Sequence, residues 1–302
     1  MTTQETLDRQ IITYLAERLA RGEFQPTTAR NNRYILTGFS ESFGARPLNQ
    51  LGVRVVERWL ATIGHLKPAT RLTRWSTVRQ FVLWLHRRGQ ITADPFPLMR
   101  APKRPRSVPR DLAAGQVARS LNCPDVRLHA IMVVMVELGL RCCEIARLEI
   151  GDDDQTKQTM LIVGKGGHER ELPVTMSARR AITAYFKSEP PAGAGPLFRS
   201  RREPGSPSSA KTISLYVRLW MAEAGVKVAP WDGISAHAFR HTAASDVLDR
   251  CPDLRVVSEM LGHLHLSTTA IYLRRAGLEK MREAMEGRSY GGVSTFEGED
   301  AA

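Results

Sequence analysis

The sequence predicts a mainly helical protein of two domains: an N-terminal four-helix bundle, then a mixed α+β, largely helical domain with a small β-hairpin. Three features lead there. Apolar residues recur at helical spacing through most of the 302 residues. One stretch, "TMLIVGKGGHERELPV", instead puts two extended runs around a glycine-rich turn. A proline-rich basic segment separates two portions, each long enough to bury its own core.

In the first portion, "TLDRQIITYLAERLARG" (residues 6–22) predicts a helix with Leu7, Ile11, Ile12, Leu15 and Leu19 on one face. "TTARNNRYILTGFSESFG" (27–44) predicts a second, opened by a threonine cap, with Tyr34, Ile35, Phe39 and Phe43 at helical spacing. "VRVVERWLATIG" gives a short third helix. "KPATRLTRWSTVRQFVLWLHRRG" gives a longer fourth with Leu72, Trp75, Val78, Val82 and Leu85 inward. Residues 1–93 form this bundle. Residues 94–110, with five prolines and five basic side chains, read as an extended linker able to lie along a polyanion.

The second portion, residues 111–288, opens on a buried helical pattern that breaks near Gly139 and restarts around Cys142. The hairpin follows, then helices in "MSARRAITAYF", "KTISLYVRLWMAEAG", the segment after Ser235 and "LRVVSEMLG". The glycine-rich, acidic residues 289–302 read as a tail.

Charge points to a partner. The formal net charge is +12, and residues 1–106 hold 18 Lys+Arg against 7 Asp+Glu. So localised a surplus suits nucleic acid, because each neutralised phosphate releases condensed counterions. Helices two and four both begin with polar and basic turns: Arg30 and Arg33 on one, Lys67, Arg71 and Arg74 on the other. Such turns suit a major groove, with Lys103 and Arg104 of the linker on the backbone. A solvated helix face is the competing reading for any single arginine. The four cysteines lack metal or disulfide spacing, and no apolar run of membrane length or signal core is found, so a reduced, cytoplasmic location is expected.

Chemistry concentrates in the second portion. "SAHAFRHTAASDVL" (235–248) places His237 and Arg240 three apart, on one helical face. Two such cations suit a phosphodiester, although a capped helix with a structural histidine is the commoner use of the pattern. Arg141 sits at a helix break, with Glu144 in reach at i+3. Lys165 sits at the hairpin tip between glycines. "MLGHLHLSTTAIYLRRAG" adds His263 and Tyr272.

In this order, "GLRCCEIARL", "VGKGGHERELPV", "HAFRHTAAS" and "LGHLHLSTTAIYL" resemble the tyrosine recombinase (phage integrase) family, Xer-type and short phage integrases in particular. The motifs span residues 112–275, and the first portion resembles that family's SAM-like core-binding bundle. The resemblance implies a site-specific DNA recombinase acting in phage or mobile-element integration and excision, with Xer-type dimer resolution or type IB topoisomerase activity as alternatives. A non-catalytic DNA-binding regulator is the alternative from another class.

It further implies that Tyr272 attacks a scissile phosphate to give a 3′-phosphotyrosyl intermediate, with no metal, ATP or cofactor. Arg141 and Arg240 would clamp the phosphate, Lys165 would protonate the leaving 5′-oxygen, His237 would act as acid/base, His263 would hydrogen-bond the phosphate, and Glu144 would orient the site. His241 is expected to be structural. The implied partners are duplex DNA with short inverted core sites, a possible directionality factor, and further copies of the chain, assembled as a tetramer through a C-terminal helix bearing Leu278, Met281 and Met285. No arm-binding module is expected. The family's usual residues after Arg141 are replaced here by Cys142 and Cys143, an oxidation liability.

Overall fold

The computed structural model describes residues 7–103, 110–203, 205–230, 232–263 and Thr269, with only the backbone of Lys165. It falls into two compact units that divide between Ser107 and Val108.

The first unit holds α1 (Leu7–Ala20), α2 (Pro26–Phe43), α3 (Val53–Thr62) and α4 (Pro68–Arg87). Helices α2 and α4 each start with proline at the first position, where no amide is needed, and neither has a side-chain cap. Thr27 and Thr28 therefore lie inside the first turn of α2, and Gln25 takes the cap position that the sequence suggested for threonine. The core is aromatic. Tyr14 meets Phe81 at 5.3 Å between ring centroids, and Phe39 meets Trp59 edge-on at 5.4 Å. These rings bury large areas and fix the helices with directional contacts.

The expected apolar faces are narrower than drawn. Ile12, Leu19 and Tyr34 are exposed, because the helices contact one another along a slimmer stripe. Phe96, in the segment read as linker, is buried edge-on against Trp75 at 4.8 Å, so the bundle's packing runs past residue 93.

The second unit holds α5 (Ala114–Leu121), α6 (Val126–Leu138), α7 (Cys142–Ile145), β1 (Asp153–Asp154), β2 (Thr159–Val163), β3 (Glu169–Pro173), α8 (Met176–Ser188), α9 (Ala210–Glu223), α10 (His237–Arg250) and α11 (Leu254–Leu261). Helix α5 and the two-residue β1 were not anticipated: α5 offers only Val117 and Leu121 as large apolar residues, and two residues of β1 carry no period. The sheet is antiparallel in the order β1-β2-β3, with Ile162 opposite Arg170 and Met160 opposite Leu172. Helix α6 is nearly all apolar and lies at the centre of the core, with Ala130, Met132, Val134 and Met135 fully buried.

Two details of α6 position the site. Asp125 caps its start by accepting from the amides of Arg127 and Leu128. Gly139 ends it in the left-handed region at φ +64. A Cβ on Gly139 would stand 3.0 Å from Met260 Cε and 3.1 Å from Leu261 Cδ2, so glycine permits both the turn and the approach of α11. Among the described residues, no helix is long and apolar enough to cross a membrane.

Candidate active site

The alanine-rich run after "HAFRH" lets α10 lie close against α6. Ala243 is buried beside Gly139, and the side chain of Arg240, one turn into α10, reaches the Gly139 carbonyl with Nη1 at 2.7 Å. Its Nη2 donates to the Leu261 carbonyl at the end of α11 and lies 3.2 Å from His263 Nε2. A guanidinium only donates, so Nε2 accepts, and the ring proton sits on Nδ1, 2.9 Å from Thr269 Oγ1. Arg240 thus ties α6, α10 and α11 together.

Arg141 follows the Gly139 turn and occupies the cap position of α7. Its amide donates to Glu144 Oε2 at 2.8 Å, and its Nη1 donates to Glu144 Oε1 at 3.0 Å. Glu144 itself is wholly buried, with a side chain 0% exposed. It also receives Arg170 Nη1 at 3.0 Å and Arg240 Nη1 at 3.5 Å. Burial alone would raise its carboxyl pKa. Hydrogen bonds from Arg170 and the Arg141 amide, with the charges of Arg170 and Arg240, outweigh that and hold it below its ordinary value.

The two arginines expected to clamp the phosphate differ in exposure. Arg240 is 4% exposed and Arg141 29% exposed. Nε and Nη2 of Arg141 make no hydrogen bond to a described residue, so among these residues one edge of the guanidinium is left for a ligand. His237, at the first position of α10, lies at the surface of the same site. Desolvation lowers its pKa first, and the charges of Arg240 and Arg141 lower it further. His263 is pushed down to about 4 by burial and by Arg240, Arg141 and Arg170, and His241 to about 4 by burial, His237 and Arg240.

Those histidines make stability depend on pH. An unfolded histidine titrates near ~6.5. Between that value and about 4 the unfolded chain takes up protons that His241 and His263 refuse, so stability is complete above ~6.5 and falls as pH drops toward 4. Urea unfolding at pH 7.5 and pH 5 is expected to show the loss, and His263→Gln to reduce it. Equal midpoints in parent and variant at both values would contradict this.

Lys165 lies at the hairpin tip, where Gly166 and Gly167 both take φ +80, and its side chain is outside the described residues. Tyr272 and Arg104 lie outside them altogether, as do Leu278, Met281 and Met285. Cys142 is buried and its thiol is pushed up to about 11 by that burial, while Cys143 is exposed. Among the described residues no group of three or more His, Cys, Asp or Glu side chains is placed to share a metal ion.

Sequence reasoning missed Arg170 and Arg147. Arg147 donates to the Gly164 carbonyl at 3.0 Å and fixes the root of the hairpin. The signal for Arg170 was the strand period: it shares an inward face of β3 with buried Leu172, where an arginine requires a partner.

In the bundle, Arg30, Arg33 and Arg74 line one cleft of about 570 Å³ together with Tyr34, Thr37 and Glu41. Arg74 stacks over the Tyr34 ring at 5.5 Å, which explains how an aromatic side chain stands exposed there. Lys67 and Lys103 are exposed, whereas Arg71 is half-buried with its Nε unbonded.

The sequence profile described as the phage integrase family matches residues 112–278. The chain belongs to that family. Tyrosine recombinase XerC of Shewanella amazonensis is 32% identical over 83% of this chain and 86% of its own length. Tyrosine recombinase XerD of Rhizobium meliloti is 32% identical over 68% and 70% respectively. Among solved structures, a lambda integrase dimer bound to a COC′ core site superposes with a TM-score of 0.76, at 17% identity, over 96% of this chain and 100% of that one. A lambda integrase tetramer bound to a Holliday junction gives 0.72 at 18% identity, over 86% and 78%. The fold, mainly helical with a small sheet, is that of these structures, and the family match with the relatives named above gives the activity class, site-specific DNA recombination.

Proposed function

We propose that this chain cuts and rejoins duplex DNA at short inverted core sites through a 3′-phosphotyrosyl intermediate on Tyr272, in the integration and excision of mobile DNA. The observation that carries the reading is the cluster around Glu144: three guanidinium groups share one buried carboxylate, and Arg141 keeps an open edge. Three cations against one anion leave a surplus suited to a phosphodiester, whose charge rearranges in the transition state.

In this mechanism the Tyr272 hydroxyl oxygen bonds to the scissile phosphorus as the bond to the 5′-oxygen breaks. His237 takes the phenolic proton, and Lys165 donates one to the departing 5′-oxygen. Arg141 holds a non-bridging oxygen directly, while Arg240 supports the same charge from its buried position. His263 enters uncharged. It is placed to bond the phosphate when its proton moves to Nε2 and the Arg240 contact is exchanged. No metal, ATP or other cofactor enters these steps. Rejoining is the reverse reaction with a 5′-hydroxyl from another strand.

DNA contact through Arg30, Arg33, Lys67, Arg71, Arg74, Lys103 and Arg104 fits the charge surplus of residues 1–106. The functional division we adopt is a core-binding domain, a basic linker, a catalytic domain through residue 288 and a tail. Tetramer assembly on DNA through residues 277–288, a directionality partner and a cytoplasmic site of action belong to the same reading. The DNA-bound lambda integrase dimer and tetramer support the DNA and assembly parts. The relatives named XerC and XerD favour a second reading, resolution of chromosome or plasmid dimers.

The test is adduct capture. The full chain is incubated with fragmented DNA of its source, denatured, and digested, and the nucleotide-bearing peptide is identified by mass spectrometry. A 3′-linked nucleotide on Tyr272 is expected. No adduct, or an adduct on another residue, overturns the reading. Captured sequences at the ends of a mobile element support integration, and one chromosomal locus without such ends supports dimer resolution.

A further inference from the structure

Arg170 stands at the meeting point of the three segments that carry the proposed phosphate chemistry and takes no step in it itself. Its Nη1 donates to Glu144 Oε1 at 3.0 Å, the same oxygen that receives Arg141. Its Nε donates to the Met260 carbonyl at 2.9 Å, near the end of α11. The guanidinium also packs against two glycines. A Cβ on Gly262 would lie 2.9 Å from Nη1 and 3.2 Å from Cζ, and one on Gly164 would lie 3.6 Å from Nη1. Gly262 precedes His263, and Gly164 precedes Lys165. The side chain is 13% exposed, so neither its charge nor its hydrogen bonds are dissipated into solvent.

We infer that Arg170 is a positioning residue for strand cleavage: bonded to Glu144 Oε1 and anchored to the Met260 carbonyl, it holds the carboxylate where Arg141 meets it through its backbone amide and one guanidinium nitrogen, leaving the other edge of that guanidinium for phosphate. A carboxylate facing one guanidinium alone tends to a two-bond fork. Here Oε2, which the second arm of a fork would need, is taken by the Arg141 amide and Arg240, and Arg170 on Oε1 keeps the carboxylate from turning out of that arrangement. The contacts to Met260 and beside Gly164 and Gly262 set where the Glu144 carboxylate stands between the hairpin and α11. Arg170 touches neither substrate nor reacting atoms in this assignment and acts through Glu144.

The inference rests on the recombinase reading, and two measurements separate their failures. The first follows cleavage by the full chain on a nicked suicide duplex carrying the captured sequence. Arg170→Met is expected to slow adduct formation at saturating DNA by about 10- to 100-fold, the cost of a small misplacement of reacting groups. Duplex affinity is expected to stay within about twofold, since phosphate contacts elsewhere supply it. Arg170→Lys, which keeps charge and one donor, is expected to recover part of the rate. In a Glu144→Gln background Arg170→Met is expected to cost much less than in the parent, because the route of action is already lost. Parental cleavage by Arg170→Met, or an equal loss in both backgrounds, overturns the assignment.

The second measurement needs no activity: amide hydrogen exchange in Arg170→Met. Faster exchange is expected at residues 164–168 and 261–263, with the bundle at 7–99 unchanged. Unchanged exchange in both segments overturns the assignment even if the chain forms no adduct, whereas absence of adduct from the unsubstituted chain overturns the recombinase reading alone.

Discussion

Glu144→Ala is expected to cost about 3–5 kcal/mol of folding stability, the usual result of removing one partner from a buried ionic cluster. The carboxylate is wholly buried and accepts from the Arg141 amide and from three guanidinium groups. Arg141 retains contact with water and loses little. Arg240 and Arg170 are nearly enclosed, and their charges would face each other without an intervening anion. Against a typical total of roughly 5–15 kcal/mol, this is a large share. Urea unfolding followed by far-ultraviolet circular dichroism measures it, and a loss below about 1 kcal/mol, the scale of an exposed pair, would show that the carboxylate is not the centre of the cluster.

The same residue gives an acid limb with a defined sign. Its folded pKa lies below the ordinary carboxylate value, so its contribution is complete above ~4.3 and is lost as pH falls through the lower folded value. In Glu144→Ala that part of the acid loss is expected to vanish. The histidine part, between about 6.5 and 4, is expected to remain.

Lys165→Ala is expected to slow cleavage of an ordinary duplex by about 10²–10⁴-fold, the span of a lost general acid. The variant is not expected to lose stability, because Lys165 stands at a glycine-flanked tip and the root is held by Arg147 at the Gly164 carbonyl. A substrate with sulfur at the 5′-bridging position separates proton delivery from charge stabilisation, because a thiolate departs without a proton. Near-parental cleavage of that substrate by Lys165→Ala is the expected result. An equal defect on both substrates would assign Lys165 to phosphate binding instead.

Much of the fold was legible because the physical signals were local. Helical apolar spacing located α1 through α4 and α6, and the run of α6 ended at Gly139, where the left-handed turn is found. Alternation around glycines located β2 and β3. Exposure was read less well: Ile12, Leu19 and Tyr34 satisfy the helical period and still face solvent, because period alone does not say how wide a stripe the neighbouring helices cover. The segment from Asp94 looked like linker by its prolines, yet Phe96 belongs to the first core, since a single ring finding Trp75 outweighs local composition.

For the site, the sequence by itself determined the candidates and their order, Arg141, Lys165, His237, Arg240, His263 and Tyr272, with Glu144 three residues after Arg141, where a capping turn brings it back onto the Arg141 amide. Only the tertiary structure decided how the members differ. Arg141 stays at the surface while Arg240 is enclosed, because α10 closes on Gly139 through alanines and α11 lays its terminal carbonyl over the guanidinium. Only it brought in Arg170, whose partner lies 26 residues earlier in the chain and whose other contact lies 90 residues later. A buried charge must find its counter-charge wherever packing places it, and that placement is a property of converging elements rather than of sequence spacing.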